Sequence, residues 1–254
     1  MRGILALSAA LLAGCASATS PGSGSADDQP GADATGGGGG GDDAGSGSGL
    51  GSGLGTVADA AVDSMPDAPP VQPLTKTFTV KIVGTNYWRG WIEKSGTTSS
   101  HMPTLDNTFT GETAPGNDLD SYFVFPLTGI TASQVIDATL RLQVQGFEGG
   151  NASTETLSVW DVTTPADQVE NTAGSVAIHD DLETGIKYGM FPASATDVGT
   201  VLTIPLNASA ATDIKAKIGQ DFTIGLSMDT VPGYVLFSSN SEVETHELVI
   251  HYLP

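Results

Sequence analysis

The stretch Phe222-Thr223-Ile224-Gly225-Leu226-Ser227-Met228 alternates apolar side chains with small or polar ones without a break. A period of two places the apolar set on one face of an extended chain, the pattern of a half-buried β-strand. The same period recurs on both sides of it. Phe78, Val80 and Ile82 alternate with Thr77, Thr79 and Lys81, and Leu140, Leu142 and Val144 alternate with Arg141, Gln143 and Gln145. Near the end, Leu248, Ile250 and Tyr252 alternate with Val249 and His251. Shorter apolar runs lie at Tyr122 to Phe125, Leu157 to Val162, Val201 to Leu206 and Tyr234 to Phe237, separated by Gly, Pro, Asn and Asp. Such punctuation marks turns between strands. One segment reads as a helix: Asn207 caps it, Ala208 to Ile218 fill it and Gly219 stops it. Eight or more short strands with one brief helix predict an all-β fold, an antiparallel β-sandwich of jelly-roll type. Each sheet is expected to have one apolar face and one wet face.

The pattern stops N-terminal to Lys76. From Ala16 to Thr75 the chain holds 15 Gly, 6 Pro and eight Asp, with no Lys, Arg, Glu or aromatic residue. A segment so poor in apolar side chains cannot offset its ordering entropy, so a disordered stalk is expected here. Ahead of the stalk, Arg2 and the apolar run Ile4 to Leu12 lead to Leu12-Ala13-Gly14-Cys15. A short basic start, a short apolar core and small residues before the cut describe a secretory signal. The run is too short to cross a bilayer, which takes about 20 residues. The organisation read from the sequence is thus a leader at 1–14, Cys15 and a linker at 15–75, and one domain at 76–254. Its ending, Leu-Ala-Gly-Cys, resembles the lipobox of bacterial lipoproteins. That resemblance implies cleavage before Cys15, lipidation of Cys15 and attachment to a membrane through lipid. Ala16, where Asp would signal inner-membrane retention in that family, implies the outer membrane. Cys15 is the only cysteine, so no disulfide can support the fold.

The domain carries 8 basic and 21 acidic residues. That balance opposes nucleic-acid binding, which needs a cationic footprint. It suits solubility, cations and neutral ligands such as glycans. Tyr87 to Gly116 reads as a long loop that opens with Tyr87, Trp88 and Trp91. An aromatic face matches the apolar face of a sugar ring, so these three are the candidate ligand-binding residues. The competing reading places at least one Trp in the core. Asp118-Leu119-Asp120 and His179-Asp180-Asp181 offer oxygen ligands. Asp118, Asp120, Asp180 and Asp181 are therefore candidate ligands for a structural Ca²⁺, with turn chemistry as the competing reading. The histidines are expected at exposed positions, and His246 and His251, five apart on a strand, on opposite faces. No Gly-x-Ser-x-Gly elbow occurs in the domain, and no catalytic residue is assigned.

A further resemblance rests on motifs in a fixed order. They are Arg89-Gly90-Trp91, Asn107 to Gly111, Tyr122 to Leu127, Ala138 to Leu142, Trp160 to Pro165, His179 to Gly185 with Tyr188-Gly189, and Ile204 to Ala208. Together they resemble a β-sandwich ectodomain of secreted bacterial proteins, many of which carry a PEP-CTERM sorting tail. The resemblance implies a sandwich fold and supplies no catalytic residue. The chain differs in ending at Leu253-Pro254 directly after a strand and in being anchored at its other end. Looser similarity extends to other bacterial surface sandwiches, including carbohydrate-binding modules. The expectation is a lipid-anchored surface or envelope protein with a non-catalytic binding domain, polysaccharide being the ligand class. The alternatives are a structural envelope component that packs with partner proteins, or a hydrolase of unrecognised type.

Overall fold

The computed structural model describes residues 69–150, 153–229, 232–239 and 244–254. The leader, Cys15 and the stalk up to residue 68 lie outside the described residues. In chain order the strands begin with β1 (Leu74–Thr79), β2 (Ile82–Val83), β3 (Asn86–Tyr87), β4 (Arg89–Ser95) and β5 (Thr98–Ser100). They continue with β6 (Thr108–Ala114), β7 (Asn117–Pro126), β8 (Gln134–Gln143), β9 (Gly146–Gly149) and β10 (Thr154–Asp161). Helices α1 (Ala166–Asn171) and α2 (Val176–Glu183) follow, then β11 (Lys187–Ser194), β12 (Val201–Leu206) and helix α3 (Ala208–Ala216). The chain closes with β13 (Asp221–Met228), β14 (Gly233–Ser238) and β15 (His246–Leu253).

Every strand pairing among the described residues is antiparallel. A four-stranded sheet runs β1-β15-β8-β12, and a nine-stranded sheet runs β11-β10-β13-β7-β6-β14-β9, with β4 also on β7 and β5 on β4. A jelly roll divides eight strands between two sheets. Here the division is uneven, and the larger sheet forks at β7. Residues 117–119 of β7 pair with β6, residues 121–126 pair with β13, and β4 runs along the opposite edge.

The alternating runs fill one core. Leu140 and Leu142 of β8 and Leu248 and Ile250 of β15 meet Phe123 and Phe125 of β7, Leu157 and Val159 of β10, and Phe222, Ile224 and Leu226 of β13. Each such side chain taken out of water contributes about 1.5–3 kcal/mol. Helix α3 matches the sequence reading closely. The Asn207 side chain accepts from the backbone N–H groups of Ser209 and Ala210, and Gly219 leaves the helix at φ +86°.

Three expectations need correction. The described residues contain three helices, not one. The stretch from Tyr87 to Gly116 is largely strand, because β4 lies on β7 from Arg89 opposite Phe123 to Lys94 opposite Asp118. The larger sheet is not wet over the part of its outer face formed by β4 and β7. Its alternate residues Tyr122, Val124 and Ile92 pack under Val169 of α1 and Leu182 of α2 as a second apolar cluster. This explains the unbroken run Tyr122-Phe123-Val124-Phe125, since a strand covered on both faces has no reason to alternate.

Helix α2 is locally well specified. Ser175 caps it, its side chain accepting from the Ile178 N–H. Periodicity then brings His179, Leu182 and Glu183 to the side that faces the sheet. The helix sits very close to β13: a Cβ added to Gly225 would stand 2.8 Å from the Leu182 Cα.

Candidate metal centre

Asp118 and Asp120 are two apart on β7 and so share its outer face. This is the face that α2 covers. His179 and Glu183, one helical turn apart, come down over the two aspartates. The four side chains each offer one ligand atom, all within 4.8 Å of one another. Asp120 is 1% exposed and His179 is fully buried. Asp118 and Glu183 keep side-chain exposures of 40% and 29%, so the cluster has a buried floor and an open mouth.

His179 Nε2 stands 3.5 Å from Asp120 Oδ2 and 3.9 Å from Asp118 Oδ2. Its Nδ1 stands 3.5 Å from Glu183 Oε1. These separations are too long for hydrogen bonds of normal geometry. Two ligands of one ion held at about 2.0–2.2 Å stand roughly 3.4 Å apart in a tetrahedral site. Neither carboxylate oxygen of Asp120 has a hydrogen-bond partner, and neither does His179 Nδ1. Buried polar atoms normally have partners, and a bare carboxylate is among the costliest exceptions. Burial first, then the charges of Asp118 and Glu183, push the Asp120 carboxyl well above its ordinary value. Burial also raises Asp118. His179, followed by Lys94, holds Glu183 below the usual carboxylate range.

The nearest cation is Lys94 of β4, opposite Asp118 in register. Its Nζ donates to Asp180 Oδ1 at 2.5 Å and to Glu183 Oε1 at 3.3 Å. Those two contacts, Asp180 foremost, raise the ammonium above its ordinary value against the opposing effect of burial.

Of the four aspartates singled out from sequence, the structure therefore unites Asp118 and Asp120 at one site. Asp180 lies at the rim, bound to Lys94. Asp181 does something else: its carboxylate accepts from the Thr163 and Thr164 N–H groups and ties α2 to the start of α1. Sequence reading missed His179 and Glu183 as ligands. The signal available was His-x-x-x-Glu, the spacing of one helix face, but in His179-Asp180-Asp181 only the aspartates were counted as ligands and the histidine was expected at an exposed position. The expectation of exposed histidines is also corrected: His101, His179 and His246 are buried, because each sits where a polar network crosses packed layers.

The three aromatic candidates make different contacts. Tyr87 packs on the main core with the Arg89 guanidinium 4.7 Å from its ring. Trp88 packs on the outer, helix-covered cluster, and Lys81 Nζ lies 3.5 Å over its ring. Trp91 is half-buried and donates from Nε1 to Asn107 Oδ1 at 3.3 Å. Tyr87 and Trp88 thus pack on different apolar clusters.

No family model matches the chain, and no curated protein matches it. Among solved structures, a xylan-binding module CBM15 aligns over 70% of this chain and 97% of its own, with 12% identity and a TM-score of 0.32. A likeness at that score carries no argument about ligand.

Proposed function

We propose that this is a non-catalytic, cation-binding domain of a lipid-anchored envelope protein, with the ion held by Asp118, Asp120, His179 and Glu183. The observation that carries the reading is Asp120: a wholly buried carboxylate, neither oxygen hydrogen-bonded, facing a buried imidazole. A divalent cation would supply the missing partner of the Asp120 carboxylate. The cluster lies between β7 and α2, so a bound ion would also cross-link the helix layer to the sheet. Its role on this reading is to fix the outer layer. The anchor rests on the Leu12 to Cys15 motif, and an outer-membrane location on Ala16. Polysaccharide as the ligand of the domain rests on Trp91 beside Asn107, the aromatic candidate that packs on neither apolar cluster.

The test is a thermal melt of the full chain, first stripped with chelator and then given Zn²⁺, Mn²⁺ or Ca²⁺. At least one cation should raise Tm by several degrees, and Asp120→Asn should abolish the rise. A chain whose melting and calorimetric titration ignore all three ions does not have this function.

A further inference from the structure

Resting on that reading, we propose that Lys94 is the built-in counter-cation of the cluster, displaced from Glu183 when an imidazole-accepting metal of the Zn²⁺ or Mn²⁺ class enters in preference to Ca²⁺. The argument starts from one oxygen. Glu183 Oε1 accepts from Lys94 Nζ at 3.3 Å and also stands 3.5 Å from His179 Nδ1. His179 Nε2, the other ring nitrogen, lies 3.3 Å from the Asp118 backbone carbonyl. No hydrogen bond reaches Nδ1. The ammonium satisfies the carboxylate and leaves the imidazole unserved.

Charge points the same way. Asp118, Asp120, Asp180 and Glu183 all stand within 3.9 Å of His179, and two of them, Asp180 and Glu183, also hold Lys94. Lys94 is held at the mouth, bonded more closely to Asp180 outside the ligand set than to Glu183 inside it. Asp180 thus gives the ammonium somewhere to remain when Glu183 turns inward. A metal dication and an ammonium repel each other across a partly desolvated space, so Lys94 opposes binding as long as it stays near.

The donor set decides the metal class. Calcium takes six to eight oxygens and has little use for nitrogen. Imidazole suits Zn²⁺ and its transition-series neighbours, and carboxylate extends the range to Mn²⁺. One fully buried imidazole beside three carboxylates fits that class. The structural Ca²⁺ expected from the aspartates alone is the weaker assignment once His179 is part of the cluster.

The experiment is isothermal titration of the chelator-stripped full chain with Zn²⁺, Mn²⁺ and Ca²⁺, on wild type, Lys94→Met, Lys94→Arg and Asp120→Asn. Melting curves in chelator check that each variant is folded. One equivalent of Zn²⁺ or Mn²⁺ should bind at least tenfold more tightly than Ca²⁺. Lys94→Met, which keeps the stem and removes the charge, should tighten that binding about tenfold or more, while Lys94→Arg stays within about threefold of wild type. Metal binding by Lys94→Met alone would support the exchange in its strongest form. Equal affinity in wild type and a folded Lys94→Met would overturn it, as would a preference for Ca²⁺. Binding by neither protein would remove the cation site itself, a failure distinct from that of the exchange.

Discussion

Asp120 and His179 face each other across the seam between β7 and α2, 3.5 Å apart, and no hydrogen bond reaches either carboxylate oxygen. Their separation along the chain is large, so the pair exists only because α2 packs on that face of β7. The site and the outer layer are therefore one feature, and each can be perturbed through the other.

Asp120→Asn should stabilise the metal-free chain. The gain should be about 1–3 kcal/mol, because the substitution keeps the shape and removes a carboxyl whose charged form burial disfavours. Urea unfolding in chelator measures it. A clear loss of stability would mean that the carboxylate already has a partner in the metal-free protein.

Gly225→Ala should damage the site from a distance. The added methyl would meet the Leu182 backbone of α2, at 2.8 Å from its Cα and closer still to its carbonyl oxygen. Overpacking of this kind costs about 1–3 kcal/mol. The helix carries His179 and Glu183, so metal affinity should fall as well. Unchanged stability and unchanged affinity together would show that α2 is not held as described.

Tyr122→Phe should cost about 1–3 kcal/mol. The hydroxyl donates to Glu170 Oε2 at 2.8 Å and meets His101 Nε2 at 3.1 Å, beneath α1. Removing it leaves a buried carboxylate oxygen without that donor, and burial already raises Glu170 above its ordinary value. Chemical denaturation at neutral pH is the measurement, and wild-type stability in the variant would contradict the network.

His246 should make the fold acid-sensitive. Burial, then the Arg89 guanidinium donating to Nδ1 at 2.7 Å, depress its pKa to about 3. A folded value below the unfolded one means that the neutral ring is favoured by folding. The stability is present above about pH 6.5 and is lost as pH falls toward 3. The gap between about 3 and 6.5 corresponds to roughly 5 kcal/mol. Unfolding free energy followed over that range should drop steeply in wild type and less steeply in His246→Gln. Parallel curves would assign the acid response to other groups.

Cys15→Ser should release the chain from the membrane without altering the melting of the domain. Cell fractionation reads the first and a thermal scan the second. Recovery of the variant in the membrane pellet would require a different anchor.

Whatever depends on near neighbours is written in the chain. Alternation along Phe222 to Met228, Leu140 to Val144 and Leu248 to Tyr252 specifies which face of each strand is apolar, because side chains on a strand repeat every two residues. Asn207 and Gly219 specify the limits of α3, because caps act within a turn. Asp118 and Asp120 were legible as candidate oxygen ligands, because they are neighbours in the chain. What covers a face is not local. Periodicity does not say that the outer face of β7 lies under two helices, although Tyr122-Phe123-Val124-Phe125, lacking alternation, carried a trace of it. Nor does it bring His179 and Glu183 onto Asp118 and Asp120, or send Tyr87 and Trp88 to different apolar clusters. Those outcomes follow from how layers pack. The close approach of α2 at Gly225 and the fork at β7 set them, and a fit between surfaces distant in the chain is decided only when the chain has folded.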